Sequence, residues 1–113
     1  MHELAIAESI IGIVTSESER NGFRKVIEIR LKIGEYSGIV PECIRDFFPV
    51  AAKGTVAEGA KMITSVVPAV FSCTACGYSG PIDRKKACCP ECGSREIQMT
   101  GGMELFIDSL KVE

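Results

Sequence analysis

Cys73-Thr74-Ala75-Cys76 and Cys89-Pro90-Glu91-Cys92 set two Cys-x-x-Cys pairs twelve residues apart. Four thiolates offered from two short turns are the ligand set that Zn²⁺ prefers for a closed tetrahedral site. Glycine follows each pair, at Gly77 and Gly93. It allows the backbone to turn back so that both sulfurs of a pair face one ion. Four sulfurs leave no open coordination position, so the expectation is structural zinc and not hydrolytic zinc chemistry. A thioredoxin-like redox couple is the competing reading, but it calls for a single motif at a helix N-terminus, not two in tandem among turn residues. Cys88, beside Cys89, leaves the ligand register open; Cys89 keeps the spacing to Cys92, which makes Cys88 a spare thiol. Cys43 reads as a small buried hydrophobe.

The only histidine is His2. A lone terminal histidine is ordinarily a solvated residue. Here its position adds chemistry: the Met1 amine, the His2 backbone nitrogen and His2 Nδ1 can close fused five- and six-membered chelate rings. A planar nitrogen set of that kind favours Ni(II) or Cu(II) over Zn(II). The first amides of a helix have no intrahelical acceptor, so the backbone nitrogens of His2 and Glu3 can be given to a metal without breaking the helix. The bulky second residue predicts that Met1 is retained.

Composition narrows the partners. The 113 residues carry 15 acidic and 13 basic side chains, for a formal charge of −2, which disfavours binding nucleic acid by phosphate neutralisation. Hydrophobic residues make up 46%, without tryptophan, enough for one modest core. No basic, apolar leader is visible at Met1-His2-Glu3-Leu4, and no apolar run approaches the ~18 residues of a membrane span, so a cytoplasmic protein is expected. Arg84-Lys85-Lys86, between the cysteine pairs, falls short of a basic cluster and reads as a solvated loop.

These side chains need a scaffold. Residues 3–20 form a predicted amphipathic helix with Leu4, Ala7, Ile10, Ile11 and Val14 on one stripe, stopped by Asn21-Gly22. Ile27, Ile29, Leu31 and Ile33 alternate with Glu28, Arg30 and Lys32, which predicts a strand with one wet face. Pro41-Glu42 opens a second helix that carries Ile44, Phe47 and Phe48 to the core and fades at Lys53-Gly54, with Pro49 expected to kink or end it early. Met62 to Val67 reads as a second strand. Alternation resumes after Gly101-Gly102, with Leu105, Ile107, Leu110 and Val112 against Glu104, Asp108 and Lys111. That last strand must return to the earlier ones. The expected fold is α+β: two helices on a three-stranded sheet, with an inserted zinc-ribbon subdomain. The expected units are a discontinuous metal-carrying domain, 1–70 with 100–113, and the ribbon, 71–99.

Met1-His2-Glu3, Lys32-Ile33-Gly34-Glu35-Tyr36-Ser37-Gly38-Ile39, Ala52-Lys53-Gly54-Thr55-Val56-Ala57-Glu58-Gly59, the quartet with Cys92-Gly93-Ser94, and Gly102-Met103-Glu104-Leu105 occur in that order. In this combination the chain resembles the HypA/HybF family of hydrogenase nickel-insertion proteins over its whole length. The resemblance implies a non-enzymatic nickel metallochaperone, monomer or homodimer, that works with the GTPase HypB. It would load the large subunit of [NiFe] hydrogenase and, in some lineages, help urease. It implies nickel on His2, with the Met1 amine and the Glu3 backbone, as transported cargo, and structural zinc on Cys73, Cys76, Cys89 and Cys92. Pro49 and the Cys88-Cys89 doublet depart from the family pattern. A zinc-ribbon nucleic-acid or transcription accessory protein is the alternative from another class, and the acidic balance argues against it.

Overall fold

The computed structural model describes residues 3–83 and 85–113. Helix α1 spans Glu3–Asn21, with an acid in its first turn and Arg20 in its last, matching the helix dipole. Ala7, Ile10, Ile11 and Val14 are buried along its inner stripe. Leu4 departs from that expectation: it is 41% exposed, on the flank of the stripe. The Gly22 N–H closes the helix on the Ser18 carbonyl at 2.8 Å.

Strand β1 (Val26–Gly34) is the centre of a sheet ordered β2-β1-β6, with β2 at Lys61–Val67 and β6 at Leu105–Val112. β1 runs parallel to β2 and antiparallel to β6. The chain therefore does come back to the earlier strands at its end, as expected, and pairs with the first of them. Two register shifts correct the detail. One, between Val26 and Glu28, turns Val26 into the core and Ile27 out to 40% exposure. The other leaves Asp108 as an extra residue opposite Arg30 and Leu31, so that Leu105, Ile107 and Leu110 all pack on the core. A bulge inserts one residue and shifts the period-two pattern, which strict alternation cannot foresee. Val112 ends 41% exposed.

Helix α2 (Pro41–Ala52) joins the parallel pair β1 and β2 and packs beside α1. Pro41 sits in its first turn, where a missing N–H costs nothing. Pro49 does not terminate it: the helix continues to Ala52. Pro49 and Arg45, the pair that loses its backbone bond, are both exposed, while Ile44, Phe48 and Ala52 are buried on either side of the break. Burying an aromatic side chain is worth ~1.5–3 kcal/mol, comparable with the ~3 kcal/mol that an interior proline costs. Phe47 is a second correction, at 42% exposure, and Cys43 is half-buried, not fully inside.

A second sheet is built from β3 (Val70–Cys73), β4 (Ser79–Gly80) and β5 (Ile97–Gly101), in the order β4-β3-β5 and all antiparallel. The chain passes between the sheets twice, after Val67 and after Gly101. The loop following β1 grips both passages. Gly34 N–H donates to the Glu104 carbonyl and Tyr36 N–H to the Gly102 carbonyl, each at 2.6 Å. Glu35 N–H donates to the Val67 carbonyl at 2.9 Å, while its carboxylate accepts from the Ala69 N–H at 2.8 Å. The Tyr36 ring meets Phe71 edge-on, centroids 6.0 Å apart. No side chain fits at the crossing: a Cβ on Gly102, whose φ is +119°, would lie 2.7 Å from Ala69 Cα, and one on Gly34 would lie 2.7 Å from Glu104 N.

Three outcomes follow, two at this junction and one in α1. Gly34→Ala and Gly102→Ala each lose ~1–3 kcal/mol of stability in urea melts, the usual cost of forcing atoms into filled space. Gly12→Ala, exposed within α1 with nothing within 4 Å of its added Cβ, gains ~0.5–1 kcal/mol. The Glu104 carboxylate accepts from the Gly102 N–H, and its pKa is lowered by its own backbone N–H first and then by those of Gly102 and Met103. A depressed folded pKa stabilises fully above the ordinary value of 4.5 and ceases to as pH falls through the lower folded value. The difference in urea midpoint between wild type and Glu104→Gln is therefore present at pH 7 and shrinks as the pH is taken below that value.

Candidate metal centre

Strand β3 delivers the first knuckle. Cys73 closes the strand, its N–H donating to the Tyr78 carbonyl at 2.8 Å, and the Gly77 N–H returns to the Cys73 carbonyl at 3.0 Å. The second knuckle repeats the pattern: Cys89 N–H to the Ser94 carbonyl at 2.8 Å, and Gly93 N–H to the Cys89 carbonyl at 2.9 Å. Gly77 and Gly93 take φ of +83° and +76°, the left-handed turn expected after each pair. A backbone bond from Thr74 N–H to the Glu96 carbonyl, 3.0 Å, ties the first knuckle to the strand leaving the second.

The turns bring the Sγ atoms of Cys73, Cys76, Cys89 and Cys92 within 4.8 Å of one another. The Cys73–Cys92 and Cys76–Cys89 sulfurs are 3.7 and 3.6 Å apart. Metal–sulfur bonds of about 2.3 Å in a regular tetrahedron put the sulfurs ~3.8 Å from each other, so these spacings fit one ion at the centre. Cys73 and Cys89 are buried and Cys76 and Cys92 exposed, so the site lies just under the surface. The Cys88 sulfur is outside the cluster and half-buried, which settles the doublet in favour of Cys89 as the clustered residue.

The acidities show what the cluster needs. Burial raises Cys89, but the N–H groups of Cys92 and Glu91 and the thiols of Cys76 and Cys92 outweigh it and bring the pKa down to about 7. The Glu91 N–H stands 3.4 Å from Cys89 Sγ. Cys76 shows the opposite outcome: a backbone bond from Tyr78 lowers it, yet its hydrogen bond with Cys89 and burial push it up to about 12. Neighbouring sulfurs share protons because adjacent thiolates repel. A divalent cation reverses that sign and holds all four deprotonated.

Met1 and His2 lie outside the described residues, so the expected nickel chelate has no described geometry. Glu3 is described: it begins α1 and is 8% exposed, the one buried charged residue among those described. Of the basic triplet, Lys85 and Lys86 are exposed in a turn organised by Asp83, and Arg84 is outside the described residues. Sequence reasoning missed the clamp formed by Gly34, Glu35, Gly102 and Glu104; paired glycines near two acids were the available signal.

Over residues 1–112 the chain matches the family described as "HypA: Hydrogenase/urease nickel incorporation, metallochaperone, hypA". It is 39% identical over 113 residues to Hydrogenase maturation factor HypA 2 of Bradyrhizobium diazoefficiens, covering 100% of both chains. It is 40% identical over 113 residues to Hydrogenase maturation factor HypA of Chlorobium limicola, covering 100% of this chain and 97% of that one. Among solved structures, the solution structure of the Ni metallochaperone HypA from Helicobacter pylori superposes with a TM-score of 0.74 at 21% identity, over 99% of this chain and 97% of that one. Another solution structure of a HypA protein gives 0.77 at 22%, over 100% and 97%.

Serine at Cys73, Cys76, Cys89 or Cys92 releases the bound metal and exposes residues 71–99 to protease before the rest of the chain is cut. Serine at Cys88 leaves both unchanged. Metal content by mass spectrometry and limited proteolysis read the two classes apart.

Proposed function

The chain belongs to the HypA family of hydrogenase and urease nickel-incorporation metallochaperones, and on that footing we propose that it keeps one metal and hands on another. Family membership makes it a metal carrier and not an enzyme. The retained metal is zinc, on Cys73, Cys76, Cys89 and Cys92. The all-sulfur set and its near-tetrahedral spacing support that choice, since such closed sites are zinc's commonest structural form. Residues 71–99 are then a metal-held ribbon, and 1–70 with 100–113 the nickel-carrying domain.

The transported metal is Ni(II), held by the Met1 amine, the His2 backbone nitrogen and ring, and the Glu3 backbone. Whole-length membership of a nickel-incorporation family carries this reading, joined to the placement of the chain's only histidine one residue from the start of α1. Glu3 opens α1, where the leading backbone nitrogens have no intrahelical acceptor. The helix dipole disfavours a cation there, and deprotonated amides compensate for it. A site built this way releases its ion when protons return, which suits delivery better than storage. The recipient is the large subunit of [NiFe] hydrogenase, with urease as a second client. The exchange runs with the GTPase HypB in the cytoplasm. No described helix is long and apolar enough to cross a membrane.

Nickel affinity falls at least about 100-fold between pH 8 and pH 6, because an amine of pKa ~7.7–8.0 and an imidazole of ~6.5 both take up protons in that window. Calorimetric titration at the two pH values measures it; equal affinities would remove amine and amide ligation. His2→Ala, or one residue added before Met1, abolishes nickel binding and hydrogenase loading in cells while zinc content and circular dichroism stay as in wild type. X-ray absorption at the zinc edge reports sulfur donors alone.

A further inference from the structure

The three-stranded sheet carries its helices on one face, and the register names what stands on the other. Side chains of residues paired across neighbouring strands point to the same face. One row of the open face runs Lys61 on β2, Glu28 on β1 and Lys111 on β6. The next runs Ile63, Arg30 and Ser109, and the third Ser65, Lys32 and Phe106. Ile29, Leu31 and Ile33 point the other way, into the core. Every member of the three rows is exposed or half-buried.

Charge divides the same way. Helices α1 and α2 hold six acids against Arg20 and Arg45, and both arginines are ion-paired within their own helices, to Glu17 and Glu42. The open face of the sheet holds Arg30, Lys32, Lys61 and Lys111. Arg30 is taken up by Glu28 at 2.9 Å. Lys32, Lys61 and Lys111 make no ion pair among the described residues, and the one unpaired acid beside them is Asp108, the extra residue of the β6 bulge. A chain of formal charge −2 therefore gathers three unpaired cations on one side of one sheet. Strands ~4.8 Å apart set the Lys61 and Lys111 positions about 10 Å from each other, and four residues of β1 set Lys32 about 13 Å along from that row. Ile63, half-buried, and Phe106, 46% exposed, supply apolar surface among them. A nucleic acid would meet the negative charge of the whole chain as well as this face. A compact patch of carboxylates around apolar side chains meets the face alone.

We propose that the open face of this sheet docks an acidic patch of a partner protein, with carboxylates on Lys61, Lys111 and Lys32 and apolar side chains on Ile63 and Phe106. Charge complementarity of this kind steers the encounter and fixes the orientation of the partner, and it weakens with salt. The proposal goes beyond the carrier reading and does not depend on which metal is carried.

The test uses the full-length protein and a synthetic 14-residue peptide of glutamates interrupted by two leucines. The same peptide with lysines in place of glutamates, and a thymine oligonucleotide of equal formal charge, are the comparisons. Fluorescence anisotropy shows the acidic peptide binding and both comparisons at least tenfold weaker. The double variant Lys61→Gln/Lys111→Gln weakens the acidic peptide at least tenfold, and Lys61→Arg/Lys111→Arg binds it like wild type. Phe106→Ser weakens it at least threefold, a loss that simple counter-ion attraction would not produce. Both lysine positions are exposed, so the glutamine pair keeps the wild-type urea midpoint and metal content. Wild type that does not bind the acidic peptide, or a glutamine pair that binds it unchanged, overturns the docking face. An oligonucleotide that binds tighter than the acidic peptide overturns it in favour of nucleic acid. A wild-type dimer in sedimentation that the glutamine pair dissolves overturns it in favour of a second copy. His2→Ala, which tests nickel carriage, binds the acidic peptide like wild type, so the carrier reading and the docking face fail separately.

Discussion

Everything on either side of the molecule depends on a crossing too tight for a β-carbon. Gly34, Gly102 and Ala69 approach so closely that the backbone bonds from Gly34 and Tyr36 hold the returning passage while Glu35 holds the outgoing one. Two strands of chain passing between sheets would, by themselves, let one sheet swing on the other. Four hydrogen bonds and an aromatic contact from a single loop replace that freedom with one arrangement. Steric closeness does the selecting here, with hydrogen bonds, worth ~0.5–1.5 kcal/mol each, adding direction.

The two sides are stabilised by different physics. The helix-covered sheet rests on burial: Ile29, Leu31, Ile33 and Ile44 are each at most 1% exposed. The other sheet has little such surface, and its most buried side chains are Cys73 and Cys89 themselves. Thiolates packed at 3.6–3.7 Å are unstable neighbours until a cation joins them. The proposed ligands are therefore also that sheet's core, and a metal bound there would contribute folding energy.

Much of this was legible in the residues. Spacing alone located the quartet, period-3.6 and period-2 patterns located both helices and the main strands, and the isolated last strand required a return to the earlier strands. What failed depended each time on tertiary context. Ile27 was misplaced because a bulge changes the parity of a strand, and parity is not visible until the partner strand is known; Val112 pairs with buried Val26 but stands exposed at the end of the last strand. Pro49 suggested a break because local propensity cannot weigh Phe48 and Ala52 burying on either side of it. Phe47 and Leu4 were assigned inward because hydrophobicity reports what prefers to leave water, not which positions the packed helices and sheet actually reach.

The return of β6 also sets the order in which the chain can assemble. Ile33 pairs with Leu105, about 70 residues later, whereas β1 and β2 meet across one helix. Contacts that distant are slow to form, because a long loop must close before they reward the chain. The quartet lies inside that loop, and a metal joining Cys73 to Cys92 shortens the flexible path between Val67 and Leu105. A metal taken up early at the quartet would act as a folding catalyst in the kinetic sense, because it draws the last strand toward the first and speeds completion of the three-stranded sheet.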